Sequence, residues 1–134
     1  MTLRAVADTH TVIWYLYDDP RLSPAARAAF EEAAAASDQV GFSAIVLAEI
    51  VYLSEKGRIH PDVLGRLLAA LDRPGAVLRE LPFDRAVAAV MPTIDRRQVP
   101  DLPDRIIAAT ASLHGVPLIS RDRAIRLSGL PTIW

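Results

Sequence analysis

Apolar and polar positions fall in blocks along this chain, and the period of the blocks changes from strand-like to helix-like and back. Leu3-Arg4-Ala5-Val6-Ala7-Asp8 is a short, mostly apolar run that ends in a carboxylate. A run of this length near a chain start reads as a buried, parallel strand. Val12-Ile13-Trp14-Tyr15-Leu16 follows without Gly or Pro and predicts a helix. Asp18-Asp19-Pro20 ends it, because the residue before a proline is pushed out of the helical region. Ser23 as N-cap and Pro24 in the first turn start a second helix, to about residue 36. Gln39-Val40-Gly41-Phe42 predicts a second strand, and Ser43 the cap of an apolar helix over 44–53.

Gly57 closes that helix, and His60-Pro61-Asp62 opens another to about Leu71, striped by Val63, Leu64, Leu67, Leu68 and Leu71 at helical spacing. Asp72-Arg73-Pro74-Gly75 is a turn. A third strand over 76–81 carries charge, which places it nearer an edge of the sheet. A helix over 84–90 and a loop from Pro92 to Pro100 precede Asp101-Leu102-Pro103-Asp104, which opens a helix to His114 with Pro103 at the first helical position and Gly115 at its end. Strand 116–119, a short helix over 123–127 and a terminal strand 131–134 complete the order. Strands alternating with helices predict an α/β fold, a parallel sheet covered on both faces.

At 134 residues, 51% of them hydrophobic, the chain reads as one globular domain over 1–134. The absence of cysteine excludes disulfides, thiolate zinc sites and cysteine nucleophiles, and suits the cytoplasm. No signal-like segment and no apolar run of membrane-spanning length is present, so no membrane partner is expected. A net charge of −1 gives no overall basic footprint for nucleic acid, although every basic residue other than Lys56 is the better phosphate fork, Arg.

The acids carry the chemical signal. Asp8 and Asp122 each follow a strand's carboxyl end, Asp104 lies in the first turn of a helix, and Glu49 is flanked at helical spacing by Ile45, Val46, Tyr52 and Leu53. Each has a plain explanation. Asp8 and Asp122 suit helix caps, and Asp101 and Asp104 gain about 0.3–1 kcal/mol from the helix dipole; for Asp101 that reading is preferred. Glu49 on a helix apolar all round is expected to be buried, and must find a partner, a cation or a proton. Together they point further. If strands one and four are neighbours, the strand order reverses beside Asp8 and leaves a crevice. Carboxylates gathered there raise each other's pKa. A divalent cation relieves the repulsion, and all-oxygen ligands select Mg²⁺ or Mn²⁺, which activate water in hydrolysis. Competing chemistries lack their motifs: there is no GxGxxG, no GxxxxGK[ST], no GxSxG and no HExxH around His10, His60 or His114. A phosphotransfer receiver needs a late Lys, and the single Lys is Lys56.

Asp8-Thr9-His10 with its aromatic-aliphatic helix, Asp19-Pro20-Arg21-Leu22-Ser23, Ser43-Ala44 followed by Ala48-Glu49-Ile50, Asp101 to Ala111, and Leu118-Ile119-Ser120-Arg121-Asp122 form an ordered set across the chain. That set resembles the PIN-domain family, and the chain's size resembles its VapC-type toxins of bacterial toxin–antitoxin pairs. The resemblance implies a three-layer α/β/α fold around a parallel sheet of four to five strands. It implies a Mg²⁺- or Mn²⁺-dependent endoribonuclease toxin, usually a homodimer, inhibited by a cognate antitoxin. Carried over, the catalytic acids are Asp8, Glu49, Asp104 and Asp122, with Asp8, Asp104 and Asp122 as metal ligands. Thr9, His10, Arg105 and Arg121 are substrate-contact candidates, and Arg96, Arg97 and Arg123 could extend an RNA path. Leu102 separates Asp101 from Pro103, a departure from the family pattern that leaves the role of Asp101 open. The alternative is a non-catalytic PIN-like module that binds RNA or protein, with its acids serving as caps and an ion pair.

Overall fold

Val6, Ala7, Val40 and Ile119 lose all solvent contact, as apolar strands covered on both faces should. The computed structural model describes residues 1–134 and orders them as β1 (Leu3–Ala7), α1 (Thr9–Leu16), α2 (Pro24–Ala35), β2 (Gln39–Ser43), α3 (Ile45–Glu55), α4 (Val63–Leu71), β3 (Leu78–Leu81), α5 (Arg85–Val90), α6 (Leu102–His114), β4 (Leu118–Ile119), α7 (Arg123–Leu127) and β5 (Thr132–Ile133). A single 3₁₀ turn, Met91–Thr93, follows α5. The five strands form one sheet in the order β3-β2-β1-β4-β5. All its pairings are parallel. The fold is the α/β/α arrangement the sequence implied, with β3 at an edge. No helix is long and apolar enough to cross a membrane.

The chain steps from β1 to β2 and β3 on one side, then returns to place β4 and β5 on the other. The order therefore reverses at β1, and the carboxyl ends of β1 and β4 flank a switch-point crevice. Two bonds sew it together: the Asp8 amide donates to the Ile119 carbonyl at 3.2 Å, and the Thr11 hydroxyl to the same oxygen at 3.0 Å.

Several boundaries differ from the sequence reading for local reasons. α1 begins three residues early, at Thr9, because Asp8 itself is its cap. Ser43 ends β2 instead of capping α3; Ala44 takes the cap position with helical angles, and the Ser43 hydroxyl accepts from the Ile45 amide at 3.2 Å. Pro103 is the second residue of α6, not the first, since the helix already starts at Leu102. β4 starts at Leu118 rather than Val116, because Pro117 has no amide to give the ladder. The largest correction concerns α3. Of its residues only Val46 and Ile50 are fully buried, while Val51 and Tyr52 are 40% and 56% exposed. Its apolar composition hides a one-sided helix.

Gly41 shows how tightly β1 to β3 close. A Cβ there would lie 2.6 Å from Leu81 Cδ1 and 2.9 Å from Leu3 Cδ1. Both are ends of flexible side chains, so Gly41→Ala is expected to fold with a repacking cost of about 1–3 kcal/mol. Urea unfolding should show this as a lower midpoint at unchanged slope.

Candidate active site

Three of the acids are helix caps, and the other two stand on helices. Asp8 follows β1 and caps α1, its Oδ1 accepting from the Thr11 amide at 3.0 Å. Asp122 follows β4 and caps α7, its Oδ1 accepting from the Ile125 amide at 3.0 Å. The buried Ser120 hydroxyl accepts from the Asp122 amide at 3.0 Å and fixes that turn. Asp101 caps α6 by accepting from the Asp104 amide at 3.1 Å. Glu49 projects from α3, half-buried, and its Oε1 takes a 2.5 Å bond from the Thr9 hydroxyl. Asp104, in the first turn of α6, has no such partner. Its carboxyl group accepts no hydrogen bond from the rest of the chain.

These side chains share one cleft of about 450 Å³. Five carboxylates line it: Asp8, Glu49, Asp101, Asp104 and Asp122. Thr9, His10, Trp14 and Arg121 complete the wall. A larger groove of about 630 Å³ lies at the other end of the strands, beside Gln39 and Leu78. It mixes Asp72 and Glu80 with Arg73 and Arg79, so it concentrates no charge of one sign.

Burial and like charge together govern the cleft. Burial, and then the carboxylates of Asp101, Asp122, Glu49 and Asp8, push the Asp104 carboxyl up to about 7. Burial also raises Glu49, opposed by the Thr9 bond and by His10 and aided by Asp101 and Asp8. A carboxyl group raised this far is a mark of functional sites. The donors are all oxygens, the set a hard divalent cation prefers. Asp8, Asp101 and Asp122 each commit one oxygen to a helix amide, which leaves the other for a ligand, and Asp104 keeps both. As the side chains stand, no three Asp, Glu or His groups are drawn together into a ready ion site. The donor chemistry fits Mg²⁺ or Mn²⁺, and binding would require carboxylate rotations that close the set.

The cleft unites Asp8, Thr9, His10, Glu49, Asp104, Arg121 and Asp122, all sequence candidates. Arg105 stands apart. Its Nη2 donates to the carbonyls of Met91 and Ile94 at 2.9 and 3.2 Å, tying the 3₁₀ turn to α6. One residue of helix turns it about 100° from Asp104, out of the cleft. Arg96, Arg97 and Arg123 do not line the cleft either; Arg97 pairs with Asp95 at 3.2 Å. Asp101, read from sequence as a dipole partner, is both a cap and the largest charge acting on Asp104. Its three-residue spacing from Asp104 was the signal, since such pairs meet on a helix face. Trp14 was the other omission, four residues after His10 and 5.6 Å from its ring.

Comparison with known proteins agrees with this architecture. The sequence profile of the PIN domain matches residues 5–127. The chain is 32% identical over 130 residues to "Ribonuclease VapC22" of Mycobacterium tuberculosis, covering 95% of each sequence. Among solved structures, it superposes with a TM-score of 0.70 and 18% identity on a chain of VapBC2 from Rickettsia felis bound to a DNA fragment from their promoter, over 97% of both chains. A DNA-bound VapBC from Salmonella typhimurium gives 0.67 at 22% identity, over 98% of this chain and 97% of that one.

Proposed function

The chain belongs to the PIN domain family, and from that premise we propose that it is a Mg²⁺- or Mn²⁺-dependent endoribonuclease, a VapC-type toxin held in check by a cognate antitoxin. The observation that carries the proposal is the cleft itself: five carboxylates brought from four segments to the sheet's switch point, with Asp104 pushed up to about 7 by burial and by its acidic neighbours. The 32% identity to a protein named as a ribonuclease supports the choice of RNA.

In this reading residues 1–134 work as one domain. Asp8, Asp104 and Asp122 would hold the ion, which when bound would supply the Lewis acidity that polarises a phosphodiester and activates a water. Glu49, steadied by Thr9, accepts a hydrogen bond from that water and orients it, and Asp122 shares this task from the opposite wall. His10 and Arg121 face the RNA backbone. Arg105 holds the 91–94 turn on which α6 rests and takes no part in contacting substrate. The antitoxin assignment rests on the VapBC complexes that share the fold. The outward face of α3, with Val51 and Tyr52 exposed, suits an amphipathic antitoxin helix. A homodimer and a cytoplasmic setting complete the assignment.

The test is direct. The purified chain should cut single-stranded RNA with Mg²⁺ or Mn²⁺ and stop in chelator. Asp8→Asn should lower the rate by about a hundredfold or more while circular dichroism stays unchanged. Cutting that survives both the chelator and Asp8→Asn overturns the proposal. A non-catalytic module is the second reading, favoured by the caps that Asp8, Asp101 and Asp122 already provide. The effect of Mn²⁺ on thermal stability separates the two.

A further inference from the structure

The cleft carries five carboxylates, and RNA carries one negative charge per nucleotide, so the strand cannot approach on charge alone. A metal at the acids answers the repulsion at the centre. Something else must anchor the strand at the rim, and the permanently charged cation lining the cleft is Arg121.

Two features single it out. Its guanidinium Cζ lies 4.6 Å from the Trp14 ring centroid, within cation–π range. It forms no ion pair within 4 Å, although its cleft is acidic; an arginine with a merely structural task there would take one of the carboxylates. Arg21 also packs on Trp14, at 5.1 Å, but Asp19 grips it by two bonds of 3.1 and 2.8 Å and neutralises it. Trp14, for its part, is only 4% exposed. It is covered by His10, Trp134 and the two arginines, so it cannot serve as a stacking platform for a base. Its role is to be a floor beneath one unpaired guanidinium.

We infer that Arg121, laid on Trp14, is the cleft's phosphate fork: it takes one backbone phosphate of single-stranded RNA next to the acids, and Trp14 is its positioning residue. A guanidinium stacked on an aromatic face keeps its edge donors free and loses little freedom when a phosphate arrives. The inference deepens the nuclease reading of this cleft and rests on it for the choice of RNA.

Binding tests it without needing catalysis. A fluorescein-labelled oligoribonucleotide is titrated, by anisotropy, with Asp104→Asn protein over a range of KCl, with and without a second substitution. Arg121→Gln should weaken binding about tenfold and make the slope of log Kd against log salt shallower by about 0.7, the loss of one single-strand phosphate contact. Arg121→Lys keeps the charge but not the flat fork; it should keep the slope while losing affinity. Trp14→Leu should resemble Arg121→Gln, and combining the two should cost no more than either alone. Trp14→Phe, which restores a ring, should bind as the parent does. An unchanged salt slope in Arg121→Gln overturns the inference, even if affinity falls. Fully additive losses for Trp14→Leu and Arg121→Gln overturn the positioning role. Failure of the wild-type chain to cut RNA would remove the nuclease reading and leave these slopes to decide the phosphate contact by themselves.

Discussion

Asp104→Asn should yield a protein that no longer cuts RNA and that, without metal, is more stable than its parent. The two effects have one cause. Folding pushes the Asp104 carboxyl from its usual range up to about 7 by burial and by the charges of Asp101, Asp122, Glu49 and Asp8. An acid raised on folding is ionised at a cost to the folded state. Between the unfolded value and about 7 the folded chain binds the extra proton, so stability falls as pH rises through that window and levels off above it. A shift of three units would be worth about 4 kcal/mol in full. Asp104 remains well open to the cleft, where solvent screens the repulsion, and about 1–2 kcal/mol is the fitting scale. Asn keeps the shape and drops the charge. In chelator at pH 8 the variant should melt about 3–6 °C higher; at pH 4, where the parent's Asp104 is already protonated, the two should melt together. Cleavage should fall by about a hundredfold or more. A variant that is less stable at pH 8, or equally stabilised at both pH values, would show that the acids do not press on one another as described. Natural proteins give up stability at functional sites in this way.

Much of this cleft could be read before any coordinates, because its residues sit where chain punctuation puts them. Asp8 and Asp122 end apolar runs, and a run that ends in a carboxylate before a helix marks both a cap and a strand's carboxyl edge. Asp104 is fixed by Pro103 and the helix start around it. The switch point was conditional on strands one and four being neighbours, and the sheet order β3-β2-β1-β4-β5 meets that condition. What escaped was rotational. Eight of the eleven positions of α3 are apolar, so composition could not say which face turns inward, and Val51 and Tyr52 came out exposed. Arg105 adjoins Asp104 in sequence, and neighbours along a helix diverge by about 100°, which sends its guanidinium to the 91–94 turn. Asp101 was set aside because the helix dipole accounts for it; the structure shows that it is the cap of α6, committing one carboxylate oxygen to the Asp104 amide, and that it also lines the cleft. Trp14 was read as part of an apolar helix, and only the fold could bring Arg121, more than a hundred residues later, onto its ring.

Mn²⁺ should raise the melting temperature of the wild-type chain, and the rise should fade as pH drops below 7. An ion that binds only the folded state stabilises by mass action, about 2.7 kcal/mol at a hundred times its Kd, or about 8–12 °C for a chain of this size. Here the gain has a physical source beyond coordination, since the ion cancels the repulsion that Asp104 suffers from Asp101, Asp122, Glu49 and Asp8. It also has a competitor. The proton that Asp104 holds up to about pH 7 must leave before the ion binds, so apparent affinity should be level above about pH 8 and lose about tenfold for each unit below 7. Asp104→Asn removes both the repulsion and the competing proton, and with them a ligand; its Mn²⁺ response should be small and nearly independent of pH. Asp8→Asn should also weaken the response but keep its pH dependence, because Asp104 is still pressed by three carboxylates. Acids that served only as helix caps would need no ion, since each cap bond is complete with one oxygen. Melts unmoved by Mn²⁺ at pH 8, or moved equally in the parent and in Asp104→Asn, therefore favour a binding module over a nuclease.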